Sequence, residues 1–119
     1  MMTAGCVFCP DNWPNLDIVK YTGTGAIVVP LNPVVDGHVL VIHRAHSADA
    51  AADPMIAADL MCAAALWIHY RDIQANIITS IGPAATQTVF HTHVHIVPRA
   101  EGDGLPLPWT PQQLRTFKG

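Results

Sequence analysis

Three of the chain's seven histidines alternate in His91-Thr92-His93-Val94-His95, the strongest chemical signal in the sequence. Successive side chains of a strand point to opposite faces, so these three imidazoles are expected to share one face while Thr92, Val94 and Ile96 line the other. Buried polar groups without partners are costly, and packing alone does not account for three imidazoles in alternation. Two chemistries suit such a stripe. Three imidazoles can hold a catalytic metal with one position left open. Alternatively the middle ring, His93, is a nucleophile, which requires it to be neutral, with one nitrogen aimed at the substrate and the other held by a hydrogen bond that fixes the tautomer.

Cys6-Val7-Phe8-Cys9 sets two thiols at metal-ligand spacing rather than in a disulfide framework. A structural zinc usually takes four Cys or His ligands, so the pair supplies half a site. A redox couple and two unconnected thiols are the other readings, although no βαβ pattern surrounds the motif and Pro10 follows at once. Cys62 falls on an expected helix and reads as a small core residue. His43 and His69 read as ordinary residues that nothing pairs with chemistry.

Holding these groups in place requires a sheet. Asp17 to Tyr21 and Ala26 to Val29 flank Thr22-Gly23-Thr24-Gly25 and predict a hairpin. Pro30, Pro33 and Gly37 punctuate the chain before His38 to Ile42, a β-branched run expected as a buried strand. Asp53 before Pro54 has the form of an N-cap with proline at the first helical position. Ile56, Leu60, Ala64 and Trp67 follow at helical spacing and predict a helix over roughly Pro54 to Ile73. Asn76 to Ile81 reads as a strand, and Gly82-Pro83 opens a loop of small residues through Thr86. Val89 to Val97 is the last strand, ended by Pro98, which cannot donate to a ladder. The Gly- and Pro-rich stretch from Gly102 to Pro111 is expected to cross the surface, with a short helix over Pro111 to Phe117.

The 119 residues make one domain, and 50% apolar against 13% charged residues excludes a disordered chain. Net charge is −3 and the six Lys and Arg are scattered, which argues against a general nucleic-acid surface and requires any phosphate to be held locally. No apolar run is long enough to span a bilayer, and no basic region followed by an apolar segment opens the chain. A soluble, cytoplasmic protein is expected, with a subunit interface compatible with the low charge.

Gln87-Thr88-Val89-Phe90-His91-Thr92-His93-Val94-His95-Ile96-Val97-Pro98-Arg99 resembles the signature strand of the histidine triad family: three alternating histidines, then apolar residues and often Pro-Arg. Asn32-Pro33-Val34-Val35-Asp36-Gly37-His38-Val39-Leu40-Val41-Ile42 resembles the family's Asn-Pro and Gly-His segment, and Asn76 with Gly82-Pro83 resembles the approach to the signature loop. The resemblance implies an α+β fold with a five-stranded antiparallel sheet and one main helix packed on it. It also implies a single domain over residues 1–119 that forms a homodimer.

By the same resemblance His93 attacks the α-phosphorus of a nucleotide, giving a nucleotidyl-histidine that water releases, while His95 and His38 orient and polarise the site. The implied zinc ligands are Cys6, Cys9, His46 and His91, a closed structural set. Preorganised polar donors for the substrate are expected from Asn32, Ser80, Thr86, Gln87 and Thr88. Ser80 stands where the family usually has Asn or Gln, and Thr86 where it usually has Gly. Pro30 stands where an Asp or Asn commonly binds the ribose hydroxyls; either Asn32 takes over, or another group holds the ribose, or the ligand is not an ordinary ribonucleotide. The implied activity is hydrolysis of nucleoside phosphoramidates or related nucleotidyl conjugates. A nucleotidyl transferase, a dinucleoside polyphosphate hydrolase and a non-catalytic nucleotide-binding dimer are the alternatives.

Overall fold

The turn at residues 22–25 joins β1 (Asp17–Tyr21) to β2 (Gly25–Val29) as an antiparallel hairpin. In the computed structural model, which describes residues 3–111, three more strands complete one sheet: β3 (Val39–His43), β4 (Ala75–Ile78) and β5 (His93–Pro98). Their order is β1-β2-β3-β5-β4, and every neighbouring pair is antiparallel. Gly25 sits opposite His43, where a Cβ would run into the Ile42 carbonyl and the His43 backbone. The turn glycine is thus required by the close approach of β2 and β3.

The single main helix, α1 (Pro54–Arg71), starts as its sequence predicts: the Asp53 carboxylate accepts from the Met55 and Ile56 amides at 3.1 and 3.2 Å. It ends two residues earlier than expected. Asp72 adopts the left-handed conformation, φ 52°, and returns its amide to the carbonyls of Ile68 and His69. Ile56, Leu60 and Ala64 pack on Ile27, Val39, Val41, Val94 and Ile96 to form the core on one face of the sheet. On the other face Ala26, Val28, Leu40 and Ile42 are covered by Phe8, Trp13 and Leu16 of the N-terminal segment, which includes a 3-10 turn at Pro10–Asn15. Cys62 is exposed on the outer side of α1 rather than in the core. The helix carries apolar residues all round; Ile56, Leu60 and Ala64 are buried against the sheet, with Ala63, Trp67 and Ile68 packed beside them.

Strand bounds differ from expectation where tertiary partners decide them. β5 begins at His93, not Val89, because its ladder with β3 ends at the Ile42 and His93 pair, and the Thr92 amide turns to the Ser47 carbonyl at 2.8 Å. His91 and Thr92 therefore precede the strand. Thr92 is buried with its hydroxyl against Ser47, instead of lining a strand face. β3 is displaced by one residue, and β4 stops at Ile78.

Beyond Pro98 the chain folds back on itself. The Arg99 guanidinium donates to both Asp103 carboxylate oxygens at 2.8 and 3.0 Å, to the Leu105 carbonyl at 2.7 Å and to Asn76 Oδ1 at 2.6 Å. Arg99 and the Ala100 and Leu105 amides hold the Asp103 carboxyl well below the usual carboxylate range. The helix expected over Pro111 to Phe117 lies, past Pro111, outside the described residues. Among the described residues no helix is long and apolar enough to cross a membrane.

Candidate active site and metal centre

The ladder pairs Leu40 with His95 and Ile42 with His93, so both histidines lie on the face opposite α1, beneath the N-terminal segment. His93 Nδ1 is 2.8 Å from the His91 carbonyl oxygen. A carbonyl only accepts, so Nδ1 carries the hydrogen and Nε2 keeps its lone pair. The ring packs edge-on against Phe8, 5.1 Å between centroids, and lies 5.3 Å from the His95 ring.

A second relay fixes His95. The Val34 amide donates to His38 Nδ1 at 3.1 Å, which leaves the His38 hydrogen on Nε2, 3.0 Å from His95 Nδ1. His95 Nδ1 must then accept, and its own hydrogen stands on Nε2. Burial lowers the pKa of His38 and of His93, in the latter against the opposing bond to the His91 carbonyl. Burial, with His93 and His38 adding to it, brings His95 down to about 4. The arrangement is therefore uncharged at neutral pH: one imidazole with a free Nε2 lone pair beside another that offers a hydrogen from Nε2.

A consequence for pH follows. His95 titrates near 6.5 when unperturbed and about 4 in the folded chain, so the unfolded chain takes up its proton first as pH falls. The stabilising contribution is complete above about pH 6.5 and is lost as pH drops through about 4. Urea unfolding at intervals from pH 7 to 4 should show a falling midpoint, and His95→Asn should flatten that slope. An equally steep slope in the variant would assign the loss to other groups.

His91 belongs to a different centre. Its Nε2 lies 2.8 Å from the His43 carbonyl oxygen and therefore carries the hydrogen. Its Nδ1 lone pair faces Cys6 Sγ at 3.4 Å, Cys9 Sγ at 3.5 Å and His46 Nδ1 at 3.1 Å. Cys9 Sγ is also 3.5 Å from His46 Nδ1, and all four ligand atoms lie within 4.8 Å of one another. Zinc bonds of about 2.0–2.3 Å would place tetrahedral ligand atoms roughly 3.3–3.8 Å apart, so the donor set fits such an ion in both chemistry and spacing. His91 and Cys9 are buried, and Cys6 and His46 are half-buried on the outer side of the cluster. The alternating histidines are thus divided between two centres instead of converging on one metal.

Of the expected substrate-binding residues, Ser80 and Thr86 line a cleft of about 360 Å³ together with His38, His95, Asn76, Arg99 and Leu105 to Leu107. Thr86 stands in the left-handed region at φ 72°, an uncommon conformation for a β-branched residue. Gln87 is buried and turned away: its Oε1 accepts from the Gly82 amide at 2.8 Å, and its Nε2 donates to the Ala48 and Val89 carbonyls at 2.7 and 3.1 Å. Asn32 and Thr88 are exposed and do not line the cleft.

His43, which the sequence presents as an ordinary residue, is paired with Asp59, which no sequence pattern singled out. His43 is buried, its Nδ1 accepts from the Ala45 amide at 3.0 Å, and its Nε2 lies 2.9 Å from Asp59 Oδ2 on α1. The available signal was a polar residue closing an otherwise apolar strand, which must find a buried partner.

Comparisons place this geometry among known proteins. The profile of the HIT domain family matches residues 16–102. An adenylylsulfatase of Arabidopsis thaliana is 33% identical over 74% of this chain and 46% of its own, so the chain spans about half of that relative. An adenosine 5'-monophosphoramidase of Saccharomyces cerevisiae is 28% identical over 94% of this chain and 74% of its own. The crystal structure of a zinc-bound histidine triad family protein from Mycobacterium smegmatis has a TM-score of 0.75 at 29% identity, covering 87% of this chain and 81% of that one.

Proposed function

Because the chain belongs to the histidine triad (HIT) family, we propose that it is a nucleotide hydrolase in which His93 attacks the α-phosphorus of a nucleotidyl conjugate. The observation that carries this reading is the orientation of the His93 ring, held at Nδ1 by the His91 carbonyl with the Nε2 lone pair left free. In the first step Nε2 bonds to phosphorus, the bond from phosphorus to the leaving group breaks, and the leaving group departs with its electron pair, an amine taking with it a proton from solvent. His95 presents its Nε2 hydrogen to the reacting phosphoryl group, and His38 keeps that hydrogen there by donating to His95 Nδ1. In the second step a water oxygen displaces His93 from phosphorus and releases the nucleotide.

Adenylyl conjugates are the favoured substrates, with phosphoramidates foremost, in keeping with the relatives named adenylylsulfatase and adenosine 5'-monophosphoramidase. Ser80 and Thr86, whose side chains line the cleft with His95, supply neutral hydrogen bonds to the ligand. Cys6, Cys9, His46 and His91 hold a structural zinc that ties the N-terminal segment to the loop before β5. Met55, Met61, Leu66 and Tyr70 expose apolar side chains along α1 and fit a homodimer.

Acid cleaves a phosphorus–nitrogen bond to imidazole, so the intermediate must be caught under neutral denaturing conditions. Peptide mass spectrometry after incubation with an adenosine phosphoramidate should find an adenylyl adduct on His93. An adduct on another side chain would overturn the assignment.

A further inference from the structure

The His43 and Asp59 pair takes no part in that mechanism, yet it stands at the head of a continuous hydrogen-bond chain that ends at His93. His43 Nδ1 accepts from the Ala45 amide, so its hydrogen stands on Nε2 and points to Asp59 Oδ2 at 2.9 Å. The His43 carbonyl accepts from His91 Nε2 at 2.8 Å, and the His91 carbonyl accepts from His93 Nδ1 at 2.8 Å. Every donor in the series is fixed, and the chain runs from α1 through a ligand of the metal centre to the reacting imidazole.

We propose that Asp59 and His43 are positioning residues for the metal centre and, through His91, for His93. Residues 43–47 form a frame around both imidazole ligands of that centre. His43 donates nothing to the ions of the site; it anchors the frame to α1 through its ring, braces the turn that carries His46 through the Ala45 amide, and orients His91 through its carbonyl. At the far end of the frame Ser47 grips the chain beside His91, accepting from the Thr92 amide at 2.8 Å. The backbone of His43 is paired with Gly25 of β2, and its ring is held at Nδ1 by the Ala45 amide and at Nε2 by Asp59. Without that acceptor Nε2–H loses its protein partner, and the ring that braces the Ala45 amide is no longer tied to α1. A partner bonded directly to a ligand, as the His43 carbonyl is to His91, typically affects metal affinity or activity 10–100-fold, and Asp59 acts one residue further out, through His43.

The link to the metal centre stands on these bonds alone, whereas the link to His93 rests on the nucleophile reading above. The test compares zinc-loaded full-length wild type, Asp59→Ala and Asp59→Asn by competition with a chelator of known zinc affinity. Asp59 has a side chain 43% exposed on a helix, and alanine is the best helix former, so the folded state tolerates the change. Asp59→Ala should bind zinc about tenfold more weakly, while Asp59→Asn, which keeps an oxygen acceptor, should stay close to wild type. With an adenosine phosphoramidate, kcat of Asp59→Ala should fall about tenfold at unchanged KM. Wild-type zinc affinity in Asp59→Ala, with equal stability losses in the zinc-loaded and zinc-free forms, would overturn the proposal and leave the pair as helix packing. Turnover retained in His93→Ala would remove the catalytic link and leave the zinc arm standing.

Discussion

His93→Ala is expected to lower turnover of an adenosine phosphoramidate by on the order of 10⁴-fold or more, as removal of a covalent nucleophile does elsewhere. No neighbour can substitute. His95 Nδ1 is taken by His38 and its Nε2 carries a hydrogen, while His91 has both nitrogens committed away from the cleft. The fold should survive, because the lost contacts are the edge-on packings with Phe8 and His95 and one hydrogen bond, together about 1–3 kcal/mol. Circular dichroism and zinc content unchanged beside a collapsed kcat is the expected pattern. Turnover within tenfold of wild type would end the nucleophile assignment.

The second large effect concerns Cys6→Ser. Wild type should carry about one zinc per chain, and the variant, reduced to three good ligands, should lose nearly all of it on dialysis against a chelator. The structural cost reaches past the metal. Phe8 lies between the two cysteines, covers the second core face and contacts the rings of both His91 and His93, at 6.2 and 5.1 Å between centroids. Release of the N-terminal segment should therefore lower the melting temperature first and turnover second. Chelation that abolished turnover while leaving the melting temperature untouched would argue instead for a metal acting in the reaction.

Much of this was legible in the sequence, and what was not has physical causes. The hairpin, the Asp53 cap and the buried β3 run are local and came through. The metal set came only through the family resemblance, since nothing in local spacing brings His46 to Cys9 or His91 to Cys6. The alternation of three histidines misled about His91, because a period-two pattern cannot say where a ladder ends. The crossing of residues 43–47 claims the Thr92 amide and ends it. Cys62 misled because residue type says nothing of place on the helix: it lies off the Ile56, Leu60, Ala64 and Trp67 stripe, which the spacing predicts and which packs on the core. Gln87 looked like a donor for a ligand, but the Gly82 amide and the Ala48 and Val89 carbonyls took its side chain first.

The doubling back of the chain after Pro98 bears on how a ligand is received. Leu105, Pro106 and Leu107 form one wall of the cleft, and they are fastened to the sheet edge through Arg99, Asp103 and Asn76. The conformational entropy of that stretch is given up when the chain folds, not when a molecule arrives. An incoming ligand thus meets a preformed wall, and affinity at this end of the cleft carries no penalty for closing a loop.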